Sequence, residues 1–268
     1  MNAAFSGQSV LITGASEGIG RALALELARD RPRLTLVARN RERLESLAGQ
    51  CRQLGAEVCT VGADLANEQE CLQAVNQALA QFGSLDILVN NAGITMWSRF
   101  DAIADFGVFE QVMRVNFLSA VHCTRAALPA LKASRGLIVA VASLAGLNGV
   151  PERTAYAASK HAMVGFFESL RIELAGSGID VTIVAPDFVV SEIHRRAVGP
   201  GGTPLGHSPM NEPSIMTSED CARMMRRALA RRQRLLITSL RGRLGRFVKP
   251  LLPQLMDRVA ARAIRLRR

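Results

Sequence analysis

A tyrosine and a lysine, one helical turn apart, are the residues of this chain best suited to do chemistry. Tyr156 is the only tyrosine, and it stands four residues before Lys160, one of three lysines, in the sequence YAASK. On a helix, positions i and i+4 share one face, so a phenol hydroxyl and an ammonium would face the same small volume. A nearby cation favours phenolate, and such a pair can exchange a proton with a substrate. Taken alone, the spacing also fits a half-buried tyrosine beside a solvated lysine.

A glycine-rich segment, TGASEGIG at residues 13–20, is the second candidate site. It follows the first apolar run, SVLIT, and opens the first helical segment. Gly14, Gly18 and Gly20 would let the backbone turn tightly and approach a pyrophosphate, which would then lie at the positive end of the helix. The spacing is Gly-x-x-x-Gly-x-Gly, and its position between a strand and a helix makes it more specific than a glycine triplet alone.

These two sites require a scaffold, and the hydrophobic pattern predicts a doubly wound α/β fold. Short runs that are apolar on both faces alternate with segments of helical period, which is typical of a parallel sheet with helical crossovers. The predicted strands are SVLIT, RLTLVA, EVCTV, LDILVN, GLIVAVAS, DVTIVAP and, after one more helix, RLLIT. The sequence therefore predicts a Rossmann-type parallel sheet.

We predict one Rossmann-type domain over residues 1–239 and a C-terminal amphipathic helical extension over residues 240–268. A chain of 268 residues that is 49% apolar can bury one large core. Within the domain, the segment at about 187–216 is rich in proline and glycine, and loops of this length are usually lids or binding loops. We interpret it as a substrate lid.

Composition argues against several other classes of protein. No segment has the pattern of a signal peptide, and no apolar run is long enough to span a bilayer. The five cysteines are odd in number and form no Cys-x-x-Cys pair or Cys/His cluster, so we expect neither a disulfide nor a metal. A cytoplasmic location is the expectation.

Several short motifs in a fixed order resemble the short-chain dehydrogenases/reductases over roughly residues 7–238. Besides TGASEGIG and YAASK, the chain contains VN at 115–116 and a serine, Ser143, thirteen residues before Tyr156. The further motifs are ADL at 63–65, NNAG at 90–93, VASLAG at 141–146 and APDFVVSE at 185–192. The resemblance implies an oxidoreductase that uses a nicotinamide dinucleotide.

The resemblance also implies a role for each site residue. Tyr156 would be the general acid or base, Lys160 would lower its pKa, and Ser143 would hold the substrate oxygen. Asn116 would orient Lys160 through an ordered water. Cofactor contacts would come from Gly14, Ser16, Gly18, Ile19, Gly20, Arg39, Asp64, Leu65, Asn91, Tyr156, Lys160 and Val189.

The residues after the second predicted strand favour NADP(H) over NAD. NAD-binding folds place an acid there for the ribose hydroxyls, whereas LVARNR has Ala38 followed by Arg39, a guanidinium available to a 2′-phosphate. Arg39 would also fit as a solvated arginine at a helix start. Glu17 opposes the assignment, because many NADP-preferring relatives carry a basic residue at that position.

The substrate is less well specified. Trp97 and Phe100 follow NNAG in a region that lines substrate pockets in similar proteins and suggest a bulky apolar ligand, although core packing would also explain them. One departure from the family pattern is Asp187, which follows Pro186 where a glycine is usual and would bring a side chain near the nicotinamide pocket.

The formal net charge of +10 is located at the C-terminus. Residues 226–268 contain thirteen arginines and one lysine against one acid, so the preceding residues are close to neutral. The extension has an apolar stripe at helical spacing, interrupted at Pro250 and Pro253. It could pack on the body or a partner subunit, or lie on an anionic membrane surface as a peripheral anchor. We do not expect nucleic acid binding, because the arginines lack interleaved aromatic residues.

These observations predict an NADP(H)-dependent enzyme that interconverts a ketone and a secondary alcohol of a hydrophobic, lipid-like compound. The alternatives are an NAD-linked alcohol dehydrogenase and a non-catalytic nucleotide-sensing protein on the same fold. The resemblance further implies a homodimer or homotetramer that pairs helices at about 105–132 and 153–175.

Overall fold

The computed structural model describes residues 3–265, and in this part of the chain seven strands form one parallel sheet. The strands are β1 (Ser9–Thr13), β2 (Arg33–Ala38), β3 (Glu57–Gly62), β4 (Ile87–Asn90), β5 (Leu137–Val141), β6 (Asp180–Ala185) and β7 (Leu235–Ile237). Their order is β3-β2-β1-β4-β5-β6-β7. The predicted doubly wound fold is confirmed. The winding reverses between β1 and β4, and this opens a crevice at their carboxyl ends.

Helices cover both faces of the sheet because the strands are apolar on both sides. They are α1 (Gly18–Ala28), α2 (Arg41–Gln53), α3 (Glu68–Phe82), α4 (Gly107–Met113), α5 (Ser119–Ser134), α6 (Thr154–Glu173) and α7 (Ser218–Ala230). Val10 and Ile12 of β1 pack with α1, α2 and α7, whereas Leu11 between them packs with α3, α5 and α6. This alternation follows from the two-residue period of a strand.

Side-chain caps start three of these helices where the sequence places a suitable residue. Asn40 accepts from Arg43 N at the start of α2, Asn67 caps α3, and Thr217 caps α7. Each such cap is worth about 1 kcal/mol. Gly83, with φ of 71°, ends α3 in the left-handed conformation that glycine adopts without strain.

The segment 187–216 is irregular, with one short 3-10 turn at Glu212–Ser214. Isolated bridges join Val189 to Met216 and Met96 to Val198. His194 and Ala197 of this segment are buried. The segment therefore packs over the carboxyl edge of the sheet as an ordered layer.

The C-terminal extension forms two helices, α8 (Leu240–Val248) and α9 (Pro253–Arg265), and residues 266–268 of the predicted extension lie outside the described part. The break at 249–252 contains Pro250 and ends at Pro253, the first residue of α9, so both prolines that the sequence marked lie at the break. A Cβ built on Gly242 of α8 would lie 2.7 Å from a methyl of Leu144, so α8 packs closely on the domain. Of the helices in residues 3–265, none has the length and apolar character to cross a bilayer.

Candidate active site

A cavity of about 290 Å³ lies at the carboxyl edge of the sheet, where the winding reverses. It brings together most of the residues that the sequence assigned to a site. Those that line it are Gly14, Ser16, Gly18, Ile19, Arg39, Asp64, Leu65, Asn91, Ser143, Tyr156, Lys160 and Val189. Gly20 and Asn116 lie behind its wall. Phe100 is 57% exposed and packs against Phe106 and Phe109, away from the cavity.

The glycine loop between β1 and α1 is shaped so that larger residues cannot replace its glycines. Gly14 has φ of 64°, and a Cβ there would lie 2.8 Å from Ala92 Cα. A Cβ on Gly20 would lie 2.4 Å from Gly14 O. The first turn of α1, at Gly18 and Ile19, consequently faces the cavity with its backbone N–H groups, which form an anion-binding arrangement.

Asn91 holds this loop in place from the neighbouring strand. Its amide Nδ2 donates to Thr13 O at 2.9 Å and to Gly14 O at 3.1 Å. Thr13 Oγ1 in turn accepts from the backbone N–H groups of Asn91 and Ala92. The Asn91 side-chain amide therefore bonds to the backbone of the glycine loop.

Tyr156 and Lys160 face the cavity from α6, one turn apart. Both side chains are buried, and Lys160 Nζ lies 5.8 Å from the centre of the Tyr156 ring. Lys160 Nζ donates to Val141 O at 2.8 Å, which anchors the ammonium at the end of β5. The i, i+4 relationship in YAASK thus presents a phenol and an amine to one volume.

Ser143 reaches the same volume from the loop after β5. Its Oγ accepts from Ala145 N at 3.1 Å and so caps a short 3-10 turn. A Cβ on Gly146 would lie 2.6 Å from Lys160 O, so this loop packs directly on α6. Only a glycine permits that approach, and the approach brings Ser143 and Tyr156 to the same wall.

Asn116 lies under the cavity in a π-helical segment, Arg114–Leu118, between α4 and α5. Its Oδ1 accepts from Ile94 N at 2.7 Å, and its Nδ2 donates to Ile94 O and to Ser159 Oγ. A Cβ built on Gly93 would lie 3.3 Å from Asn116 Oδ1 and 3.7 Å from Lys160 Nζ, so the two side chains converge there. π-helical bulges are frequent at functional sites.

Burial determines the electrostatics of Lys160. Loss of solvation, and secondly the charge of Arg153, lower the pKa of Lys160 to about 7. The charged and the neutral forms of the Lys160 amine are therefore present in similar amounts near neutral pH.

Arg153 is a functional candidate that the motif analysis missed. It is 4% exposed, lines the cavity, and places Cζ 4.2 Å from the centre of the Tyr156 ring. Its Nε and Nη2 donate to Thr95 Oγ1 at 3.2 and 2.7 Å. Its position three residues before Tyr156 was the available signal, because i and i+3 also share a helix face.

Asp187 lines the cavity, but its carboxylate is held by the C-terminal extension. Arg241 donates to both carboxylate oxygens, and Ser239 Oγ donates to Oδ2 at 2.7 Å. Burial opposes ionisation, but the hydrogen bonds from Arg241 and Ser239 outweigh it and lower the pKa of Asp187. The Asp187 side chain therefore lies at the pocket, as the sequence indicated, and its carboxylate is an anchor for α8.

Glu17 is likewise neutralised by contacts that are distant in sequence. Its carboxylate pairs with Arg43 at 2.7 Å and with Arg196 of the segment 187–216 at 2.9 Å. Arg39 is exposed at the cavity wall beside Asn40. The acid that opposed NADP(H) is therefore paired with two arginines, and Arg39 lies at the cavity wall.

Comparison with known proteins gives consistent matches. The protein-family model described as short chain dehydrogenase matches residues 8–198 of this chain. An 11-beta-hydroxysteroid dehydrogenase 1A from Arabidopsis thaliana is 40% identical over 235 residues, which are 85% of this chain and 67% of that protein. The chain spans 53% to 74% of the length of the plant relatives described by that activity.

Two solved structures are similar in fold. A short chain dehydrogenase/reductase from Burkholderia phymatum in complex with NAD has a TM-score of 0.81 and 25% identity, and covers 94% of this chain and 96% of its own. An alcohol dehydrogenase from the archaeon Thermococcus sibiricus, complexed with 5-hydroxy-NADP, has a TM-score of 0.74 and 26% identity, with 87% and 96% covered.

Proposed function

This chain belongs to the short chain dehydrogenase family of oxidoreductases, and we propose that it interconverts a ketone and a secondary alcohol with NADP(H). The observation that carries the proposal is the convergence of Ser143, Tyr156 and Lys160 on one cavity with the glycine loop at its other end. A proton donor, an oxygen ligand and a dinucleotide cradle are the parts that this reaction needs.

Tyr156 is the proposed proton donor in the reductive direction and the proton acceptor in the oxidative direction. A free phenol has a pKa near 10, so it needs nearby positive charge to serve as a base. Ser143 Oγ would donate a hydrogen bond to the substrate oxygen and hold it beside Tyr156 Oη. Asn116 and Lys160, which converge at Gly93, support a proton path behind the phenol.

The cradle fits a dinucleotide, because Gly14 and Gly20 allow the loop backbone to pack tightly and the N-terminus of α1, with its backbone N–H groups, lines the cavity. Asp64 and Leu65 would lie at the adenine, and Val189 at the carboxamide end. Lys160 would also bind a ribose hydroxyl. When bound, the nicotinamide supplies or accepts the hydride at the substrate carbon.

NADP(H) is the preferred cofactor in this proposal. Ala38 leaves no carboxylate at the end of β2, and Arg39 is exposed at the cavity wall. Glu17, which argued against NADP(H), is paired with Arg43 and Arg196 and so does not repel a phosphate with a free charge. The similar structures contain NAD in one case and an NADP derivative in the other, so they leave this choice to experiment.

The substrate that we propose is a bulky apolar compound of steroid or similar lipid type. The cavity wall includes the apolar residues Leu144, Val150, Phe188 and Ile193. The plant relatives are described as hydroxysteroid dehydrogenases, which agrees with a pocket of this character. Apolar walls with a few placed polar groups are typical of sites for such ligands.

Peripheral binding to an anionic membrane is proposed for the extension. Polar and glycine positions of α8 contact the domain, for example Arg241 on Asp187 and Lys249 Nζ on Leu147 O. The apolar side chains point outward instead, and the exposed ones are Leu240, Leu244, Phe247, Leu251, Leu252, Leu255 and Val259. An exposed apolar stripe flanked by arginines suits the headgroup region of an anionic bilayer.

A substrate panel tests the proposed reaction. The full chain is incubated with NADPH or NADH and with steroid, retinoid, β-ketoacyl or 3-ketosphinganine-like ketones, and loss of cofactor absorbance is followed. We expect turnover with NADPH on at least one apolar ketone, and none in Tyr156→Phe. Tight NADPH binding without turnover on any ketone would favour the nucleotide-sensing alternative, and faster turnover with NADH than with NADPH would favour the NAD-linked alcohol dehydrogenase.

A further inference from the structure

We propose that Arg153 is a second, permanent cation for Tyr156, a positioning residue that stabilises the phenolate together with Lys160. This inference rests on the proposed role of Tyr156 in proton transfer. It adds a residue that belongs to neither the glycine loop nor the YAASK motif.

The geometry places Arg153 closer to the phenol ring than Lys160. Arg153 Cζ lies 4.2 Å from the ring centre, whereas Lys160 Nζ lies 5.8 Å from it. The guanidinium also faces the rings of Trp97 at 5.3 Å and Phe188 at 6.0 Å. These aromatic faces and the two hydrogen bonds to Thr95 Oγ1 hold it in one orientation.

The surroundings make this charge effective. Arg153 is 4% exposed and Tyr156 is 8% exposed, so little water screens the two groups from each other. Burial lowers the pKa of Arg153, and the charge and hydrogen bonding of Tyr156 act in the opposite direction. A guanidinium nevertheless remains protonated throughout the range in which enzymes work.

Lys160 alone does not supply this charge at alkaline pH. Burial and Arg153 lower its pKa to about 7, so the ammonium deprotonates as the pH rises above that value. Oxidation of an alcohol needs the phenolate, and therefore proceeds best at higher pH. In that range Arg153 is the cation that stays charged beside Tyr156.

Other titratable groups face this region and must be separated from Arg153. Asp187 is held by Arg241, and the Glu152 carboxylate accepts from Trp97 Nε1. The imidazole of His194 is buried, with Nε2 3.2 Å from Val189 O. The groups on the cofactor side of the cavity are Glu17, Arg39, Asp64 and Arg196.

The test is the pH dependence of kcat/KM for oxidation of an uncharged secondary alcohol found with the substrate panel. Arg153→Met removes the cation, and Arg153→Gln removes it but keeps a donor for Thr95. We expect the rise in activity to move to higher pH by about one to two units in both variants, because loss of an adjacent cation raises the phenol pKa. Arg153→Lys should recover part of the shift.

Controls separate a change in charge from damage to the pocket. The shift should persist in a His194→Gln background, which removes the buried imidazole, and NADPH affinity and Tm should identify any variant that fails to fold. If the midpoint of the pH profile is unchanged and activity falls equally at every pH, Arg153 only forms part of the cavity wall. That result would overturn the inference. If activity is lost only with substrates that carry a carboxylate, Arg153 is an anion subsite, and the inference is overturned.

The same data distinguish failure of this inference from failure of the proposed function. Activity retained in Tyr156→Phe would refute the role of Tyr156 itself. An inactive Tyr156→Phe together with an unshifted Arg153→Gln would refute only the role of Arg153.

Discussion

The carboxylate of Asp187 and the guanidinium of Arg241 form a two-bond ion pair that ties α8 to the wall of the cavity. Arg241 Nε lies 2.5 Å from Oδ2 and Nη2 lies 2.6 Å from Oδ1. The Asp187 side chain is 10% exposed and that of Arg241 58%. A carboxylate at this depth depends on its partner, since an unpaired buried charge is costly. The C-terminal extension and the cavity are therefore structurally coupled.

Arg241→Ala should destabilise the protein more than a neighbouring substitution does. We expect a loss of about 1–3 kcal/mol in the free energy of unfolding, because Asp187 keeps its burial and loses its partner. Arg246→Ala, an exposed arginine of the same helix, is the matched control. Urea unfolding of Asp187→Asn, Arg241→Ala and the double variant measures the coupling free energy between the two side chains. Additive effects on the free energy of unfolding would contradict the coupling.

The same pair predicts a pH dependence of stability. The pKa of Asp187 is lowered in the folded state, so its contribution is present above the ordinary value near 4 and is lost as the pH falls through the lowered value. Asp187→Asn should therefore flatten the acid side of a stability profile. A profile that is identical to that of the unmodified protein below pH 4 would argue against the pair.

Tyr156→Phe should reduce turnover by about 10²–10⁴-fold while NADPH binding persists, because only the proton donor is removed. Lys160→Ala should reduce both turnover and cofactor affinity, since its amine is proposed to serve the ribose as well. Lys132→Ala, on the exposed face of α5, is the matched control. Steady-state kinetics and fluorescence titration with NADPH measure the two effects.

Arg39→Ala should raise the KM for NADPH by about 10–100-fold and leave NADH little changed. A charge-assisted contact to a phosphate is worth about 1.5–3 kcal/mol, which corresponds to this change. Arg52→Ala, in the last turn of α2, should change neither constant. Equal losses with both cofactors would show that Arg39 does not contact the 2′-phosphate.

The pair of substitutions Leu244→Glu and Phe247→Glu should abolish binding to anionic vesicles and leave the fold intact, because both side chains are largely exposed. Truncation after Ser239 is less specific, since it also removes Arg241 from Asp187. Leu54→Glu, at the end of α2, is the control. Vesicle sedimentation should show binding that is lost at high salt and absent with neutral lipid. Unchanged sedimentation of the double variant would assign the apolar stripe to protein contacts.

A homodimer or homotetramer through α5 and α6 is expected from the family. A Cβ built on Gly165 of α6 meets nothing within 4 Å, so the monomer should tolerate a side chain there. Gly165→Glu should therefore dissociate the assembly without unfolding it, whereas Gly49→Glu, equally open on α2, should not. Analytical ultracentrifugation would contradict the proposal if the unmodified chain sediments as a single 28.9 kDa species.

Local pattern was sufficient for the elements and for much of the candidate site. The apolar runs predicted each strand of the sheet within a few residues, because a strand that is buried on both faces needs continuous apolar side chains. The spacing in YAASK predicted that Tyr156 and Lys160 share a face, because the helical period alone determines it. The glycine loop was recognisable since backbone conformation and close approach restrict those positions to glycine.

Contacts between distant segments were decided only by the tertiary structure. The sequence places Glu17 and Arg196 179 positions apart, and Asp187 and Arg241 54 positions apart, so no local pattern indicates that they pair. Arg153 is local to Tyr156, but its surroundings include Thr95 and Phe188, which are distant in sequence. The sequence also did not determine whether the apolar stripe on α8 faces the domain or faces outward. Amphipathic spacing shows only that the helix has two different faces, and packing against the domain determines which one is exposed.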